Sequence, residues 1–169
     1  MQRWNRRLVM LSAIAAGLAA CAPSKFRRYN GPEVTRLEIH KGARKMYLLH
    51  HDKVLKQYDV GLGANPVGHK QFEGDSKTPE GMYYVDRRNP NSSFHLSVGL
   101  SYPNPADRDF ARAQGKSPGG DIFIHGQDGK HTLRGRGRDW TDGCVAVTDR
   151  EIEDVYAMVK LGTPVAIYP

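Results

Sequence analysis

From residue 34 onward, apolar and polar positions alternate in short runs separated by turn residues. In VTRLEIH (34–40) the anchors are Val34, Leu37 and Ile39, and RKMYLLH (44–50) and VLKQYDV (54–60) continue the pattern. Lys41-Gly42-Ala43 and His51-Asp52-Lys53 stand between these runs as tight turns, which predicts an antiparallel meander of three strands. Further strands are expected over 82–88, 94–101, 121–125, 143–147 and 164–168. Residues 105–114 open on Pro105, a favoured first-turn position, and suggest a short helix. A second helix is predicted over 149–160, with Ile152, Val155, Tyr156 and Val159 on one face. The stretch Thr148-Asp149-Arg150-Glu151 fits a capping box at its start, and Gly162 fits its end. Residues 61–81 are rich in Gly and Pro and follow neither period, so they read as a functional loop. The pattern predicts a mainly β fold with one helix in the C-terminal region and a short second helix.

The first twenty residues do not fit that domain. MQRWNRR is cationic, and LVMLSAIAAGLAA is an apolar run shorter than the ~20 residues of a membrane-spanning helix. Residues 1–20 therefore read as an export leader. It ends in Leu18-Ala19-Ala20-Cys21, which resembles a bacterial lipobox and implies that Cys21 is lipidated; cleavage of an ordinary signal peptide near Ala20 is the competing reading. Residues 21–33 are polar, with Pro and Gly, and read as a tether ahead of a domain at 34–169. The expected location is the cell envelope, facing the periplasm and held at a membrane. The 169 residues, 39% hydrophobic and 25% charged, suit one globular domain. Arg3, Arg6 and Arg7 lie in the leader, which has no acid; removing those three charges from +7 leaves +4. A mildly basic exported surface suits an acidic polymer or anionic lipid, and nucleic acid is the least expected partner.

The chain has two cysteines, Cys21 and Cys144. If Cys21 is acylated, Cys144 has no partner in the chain, and a lone thiol in an oxidising compartment is a liability unless it is used. A Cys21–Cys144 disulfide or an inert buried Cys144 are the alternatives. A nucleophilic thiol needs a lowered pKa or an adjacent base. His125, at the end of DIFIH and 19 residues before Cys144, is the candidate base. Gly143-Cys144 on a tight turn can present backbone N–H groups to an oxyanion, and the helix after Thr148 can lend its dipole if aimed at the sulfur. The intervening loop holds Arg134, Arg136 and Arg138, forks suited to a carboxylate or simply a solvated basic loop. This run lacks the aromatic interleaving of an RNA binder. Lys70, Glu73, Asp75 and Lys77 read as loop solvation, and Tyr83 and Tyr84 as strand packing. His69, His95 and His131 are weaker candidates for contacts around the site. There is no HExxH and no zinc-ligand spacing, so neither a metal nor another cofactor is expected.

Taken together, DIFIHG, a 14-residue spacer and TDGCVAVTDREIEDVY resemble the signature of the L,D-transpeptidase catalytic domain of the YkuD type: HG, a spacer, then Ser/Thr-His-Gly-Cys. KTPEGMYYV is similar to the TPxG segment of that family, and PVAIY to its last strand. The resemblance spans about residues 34–169 and implies a β-rich sandwich or barrel. It also implies that Cys144 is the nucleophile and His125 its base, with the imidazole held by a backbone carbonyl near Gly126. Gly126 and Gly143 would frame the pair, and peptidoglycan stem peptides would be the substrate class. Two positions depart from the pattern: Asp142 stands where the family has His, and Ala146 where it often has Arg or Asn. A carboxylate at 142 can accept a hydrogen bond or repel an anionic group, and it discourages a neighbouring thiolate. With Arg134, Arg136 and Arg138 it is a candidate substrate contact. Three readings follow: a thioester resolved by an amine, giving a crosslink or protein attachment; the same thioester resolved by water, a peptidase or amidase; or a tethered peptidoglycan-binding lipoprotein whose thiol is unused.

Overall fold

The computed structural model describes residues 24–128 and 139–169. The described residues form eight strands: β1 Arg36–His40, β2 Lys45–His50, β3 Lys53–Asp59, β4 Gly81–Asn89, β5 Ser97–Leu100, β6 Phe123–His125, β7 Val145–Ala146 and β8 Pro164–Tyr168. They also form two helices, α1 Pro105–Ala113 and α2 Asp149–Met158, neither long and apolar enough to cross a membrane. The predicted leader, Cys21, His131, Arg134, Arg136 and Arg138 lie outside the described residues.

The strands make one sheet in the order β3-β2-β1-β8-β4-β5-β6-β7. β1, β2 and β3 are the expected antiparallel meander, and alternation buries Leu37, Ile39, Met46 and Leu48 on one face. β8 runs parallel to β1, with Leu37 opposite Val165, and antiparallel to β4. β6 and β7 are parallel, with Ile124 opposite Val145 and His125 opposite Ala146. β3 and β7 are the two edges. The chain leaving β3 crosses to β7, where Gly61 and Ala146 exchange N–H···O bonds of 2.9 and 2.8 Å. The sheet thereby curls on itself, which is the mainly β, barrel-like form anticipated. Ile152 and Val155 of α2 lie in the core beneath β5 and β6.

Both helices start with reciprocal capping boxes. Thr148 Oγ1 accepts from Glu151 N–H, and Glu151 Oε2 accepts from Thr148 N–H at 2.8 Å. Asn104 and Asp107 do the same for α1. Several predicted elements are shorter than their sequence patterns, three of them for a visible backbone reason. The 94–101 run forms a strand only from Ser97, because His95 sits at φ 69 and the Phe94 carbonyl turns to accept from Gly126 N–H at 3.1 Å. The 143–147 run keeps only Val145–Ala146 because Gly143 adopts φ 125. Helix α2 stops at Met158, where buried Val159 turns extended (φ −98, ψ 133). Gly162, at φ 82, donates to the Val85 carbonyl and serves the turn into β8, not the helix end.

The long 61–81 loop is built around buried charge. Lys70 is only 3% exposed, and its Nζ donates to Asp75 Oδ1 (2.8 Å) and the Phe72 carbonyl (2.9 Å). Asp75 also accepts backbone N–H bonds from Gln71, Phe72 and Lys77; against the desolvation that opposes it, these partners hold its carboxyl below the usual range. Lys70 and Asp75 are therefore the loop's interior, not solvated loop charges as expected. Tyr83 is buried and donates to Asp107 Oδ2 at 3.0 Å, whereas Tyr84 is half-exposed. Residues 24–33, expected as a tether, contain neither helix nor strand but lie along α2. Arg27 pairs with Glu153 (2.7 Å) and Asp154 (2.5 Å), the Phe26 ring meets Tyr156, and Lys25 Nζ donates to the carbonyls of Pro90 and His95.

Candidate active site

The parallel pairing of β6 and β7 brings Cys144 beside the end of β6. Phe123 N–H points at Cys144 Sγ (3.4 Å), and the Cys144 thiol in turn donates to the Asp121 carbonyl (3.4 Å). Cys144 and His125 line one cavity of about 300 Å³ together with Asn89, Ser92, Ser93, Phe94, Ser97, Asp121 and Phe123. His125 is 3% exposed, and its ring lies between Phe94 (centroids 4.4 Å apart) and Trp140 (5.7 Å, edge-on). Its Nδ1 is 2.8 Å from the Gly126 carbonyl. A carbonyl only accepts, so the neutral imidazole carries its proton on Nδ1, and Nε2 is the basic nitrogen.

The turn that presents the cysteine is held from three sides. Trp140 and Thr141 N–H both donate to the Leu62 carbonyl, and Ala64 N–H donates to the Thr141 carbonyl. Asp139 is gripped by Arg44 through Nε and Nη2 and accepts from Leu62 N–H. Thr141 Oγ1 donates to the Cys144 carbonyl at 2.7 Å and accepts from Gly143 N–H at 3.1 Å. Gly143 is required on two counts: its φ of 125 belongs to glycine, and a Cβ there would stand 2.5 Å from the Lys77 carbonyl oxygen. Gly126 is required by space, since its Cβ would meet Asp149 Oδ1 at 2.7 Å.

Burial pushes the Cys144 thiol above its ordinary value of 9.0; Phe123 N–H and Lys70 pull against this, while Asp121 and Asp142 add to it. Burial likewise depresses His125 below 6.5, with the Gly126 carbonyl opposing. At neutral pH the pair therefore rests as a thiol and a neutral imidazole. Alkylation of Cys144 by iodoacetamide in substrate-free protein should accordingly keep accelerating past pH 9.0. A plateau already reached near neutrality would reveal a preformed thiolate and contradict the assignment.

Other predicted residues fall as follows. Asp142 is exposed, with Ser76 Oγ donating to its Oδ1 at 3.4 Å. His69 accepts from Glu80 N–H on Nδ1 and meets Asp107 Oδ1 at 3.0 Å, and His95 meets Glu153 Oε1 at 2.9 Å; both belong to hydrogen-bond networks outside the cavity lining. Sequence reasoning did not pick out Phe94, Trp140, Asp121, Phe123 or the serines of the cavity wall. The Trp in DWTDGC was the one visible hint.

Fold and cavity together define a β-rich domain in which two parallel strands set a cysteine and a histidine into one pocket. The model of the YkuD family, the L,D-transpeptidase catalytic domain, matches residues 34–167, and the chain belongs to that family. A protein of Escherichia coli (strain K12) named "Putative L,D-transpeptidase YafK" is 30% identical over 126 residues, covering 69% of this chain and 45% of that protein. The crystal structure of the helical cell shape determining protein Pgp2 from Campylobacter jejuni superposes with a TM-score of 0.60 at 27% identity, covering 82% of this chain and 49% of that one. Bd1075 of Bdellovibrio bacteriovorus shares the fold at 23% identity and a TM-score of 0.55, over 85% of this chain and 50% of that one. The chain thus spans about half the length of these relatives.

Proposed function

We propose that this chain is a peptidoglycan-modifying cysteine acyltransferase of the L,D-transpeptidase type, acting on stem peptides through a thioester on Cys144. The observation that carries this reading is the shared cavity of Cys144 and His125, in which the Nδ1–H···O=C bond to Gly126 makes Nε2 the base. Nε2 takes the thiol proton as Sγ attacks a peptide carbonyl carbon. The Gly143 N–H is already given to Thr141, so the amide of Cys144 is the nearer candidate donor to the oxyanion. The intermediate collapses by breaking the C–N bond, and the imidazolium returns its proton to the departing amine. An acceptor amine then attacks the thioester, His125 takes its proton, and the C–S bond breaks to release the thiolate, which the imidazolium reprotonates to restore the resting pair. Gly126 and Gly143 shape the site; Asp142, Arg134, Arg136 and Arg138 remain candidates for contacts with the substrate. In this reading the leader exports the chain, Cys21 carries a lipid, and the domain works in the periplasm at a membrane, contributing to wall architecture and cell shape.

Incubation of the chain without its leader (residues 22–169) with purified muropeptides tests this directly. Crosslinked dimers by mass spectrometry are the expected product. Shortened monomers alone would assign the thioester to water and make the chain a peptidase, and unchanged muropeptides would leave only a binding role.

A further inference from the structure

We propose that Arg87 recognises a carboxylate of the peptide bound in the Cys144 cavity, with Asp121 as the internal anion that this carboxylate displaces. The inference rests on the stem-peptide reading above and adds the group that is read. Arg87 lies on β4 opposite Gly99 of β5, just past a register shift between Val85 and Arg87. Its side chain passes over the space where any other residue at 99 would carry a Cβ: that point is 2.4 Å from Arg87 Cγ and 2.7 Å from Arg87 Nε. Gly99 has no positive φ that would require glycine, so its bareness is a matter of room for this arginine. Laid across β5, the guanidinium stacks on Phe123, with Cζ 4.6 Å from the ring centroid, and reaches Asp121 Oδ1 with Nη2 at 2.9 Å.

Both end points belong to the cavity. Phe123 and Asp121 line it, and these two residues also bracket the thiol, one through its N–H and the other through its carbonyl. Arg87 therefore stands at the rim of the pocket, one residue layer from the sulfur. Among the described residues, those lining the cavity include no lysine or arginine, Asp121 is one of them, and exposed Asp142 precedes Gly143-Cys144. Asp86 also sits 3.9 Å from Arg87 Nε. A cation released at this rim favours entry of a stem-peptide carboxylate.

The pairing of Arg87 with Asp121 suits that release. The Asp121 side chain is 86% exposed and that of Arg87 44%, so the pair lies in water. Exposed pairs of this kind contribute little, because water screens both charges. A substrate carboxylate taken bidentately into the half-enclosed rim makes the stronger contact. Stacking on Phe123 keeps the fork in place during the exchange. Asp121 holds φ 55, a conformation that concentrates at functional sites in non-glycine residues.

The test is calorimetric binding to the full chain in detergent, carrying Cys144→Ala so that nothing turns over. The probes are a tetrapeptide muropeptide and the same muropeptide with its carboxylates converted to amides. The acid form should bind about tenfold more tightly than the amide, roughly the value of one charge-assisted contact. Arg87→Ala should bring that ratio to about one, and Gly99→Ala, which evicts the side chain without touching its charge, should do the same. Asp121→Asn should strengthen acid binding. The proposal is overturned if Arg87→Ala keeps the wild-type ratio, or if Asp121→Asn weakens acid binding as Arg87→Ala does, since the pair would then be a structural lock. Failure of the unsubstituted site to bind either probe would overturn the stem-peptide reading itself, and this inference with it.

Discussion

Replacing Cys144 with alanine is expected to abolish muropeptide processing, with a rate loss of at least about 10³-fold, while the domain stays folded. The size follows from the chemistry: no other described side chain in the cavity is a thiol, and loss of the attacking group of a covalent mechanism removes nearly all the catalysis that its base supports. The structure also says why folding should survive. Cys144 is only half-buried, and its sulfur makes two long contacts, to Phe123 N–H and the Asp121 carbonyl, both at 3.4 Å. Thermal melting should therefore stay within a few degrees of wild type, consistent with the small cost of losing weak contacts. Muropeptide turnover by the alanine variant at the wild-type rate would end the acyltransferase reading, whatever else the cavity binds.

The second large effect is expected at Gly143, and there stability should fall along with activity. Alanine would have to hold φ 125 and place its Cβ 2.5 Å from the Lys77 carbonyl oxygen and 3.1 Å from Ile122 Cδ1. Strain of that kind costs about 1–3 kcal/mol, and displacing backbone adds to it. A loss of about 3 kcal/mol corresponds to a melting temperature lower by roughly 10 °C for a domain of this size. Relief of the clash would move the peptide whose N–H bonds Thr141, and with it the Thr141–Cys144 contact that sets the thiol's position. A Gly143→Ala protein that melts like wild type and alkylates Cys144 at the wild-type rate would show that the turn has slack that the geometry denies.

Much of the scaffold was readable from residue order, because its determinants are local. Alternation in 34–60 is enough for a meander, and the Thr148–Glu151 spacing carries its own capping geometry, whereas the start of α1 was read from Pro105 and not from the Asn104–Asp107 box that caps it. The Gly-Cys turn and the strand ending on His125 were legible for the same reason. The strand ends at Ser97 and Val145 were not. The first is set by a positive φ at His95, which no residue type announces, and by the long-range bond from Gly126 N–H to the Phe94 carbonyl; the second is set by Gly143 at φ 125. The burial of Lys70 was hidden as well, since a lysine in a Gly- and Pro-rich loop reads as solvated until Asp75 and the Phe72 carbonyl are placed around it. The cavity wall is assembled from β4, β5, β6 and the irregular 89–96 stretch. Asp121 and Phe123 share the two-residue period of His125 in the predicted 121–125 strand, whereas Asn89 and Phe94 share no period that could reveal them in advance.

The place of β8 has a consequence for how the chain comes to be folded. It is the most C-terminal of the described strands, yet it lies between β1 and β4 and joins the two halves of the sheet. The β1–β3 meander can form as it emerges, but its β1 edge joins β4 only when residues 164–168 arrive to bury Val165 and Ile167 between them. Such non-local closure is slow and cannot proceed in order of synthesis. Until residues 164–168 pair, β1 and β4 each keep an open edge, and such edges are where one chain can pair with another.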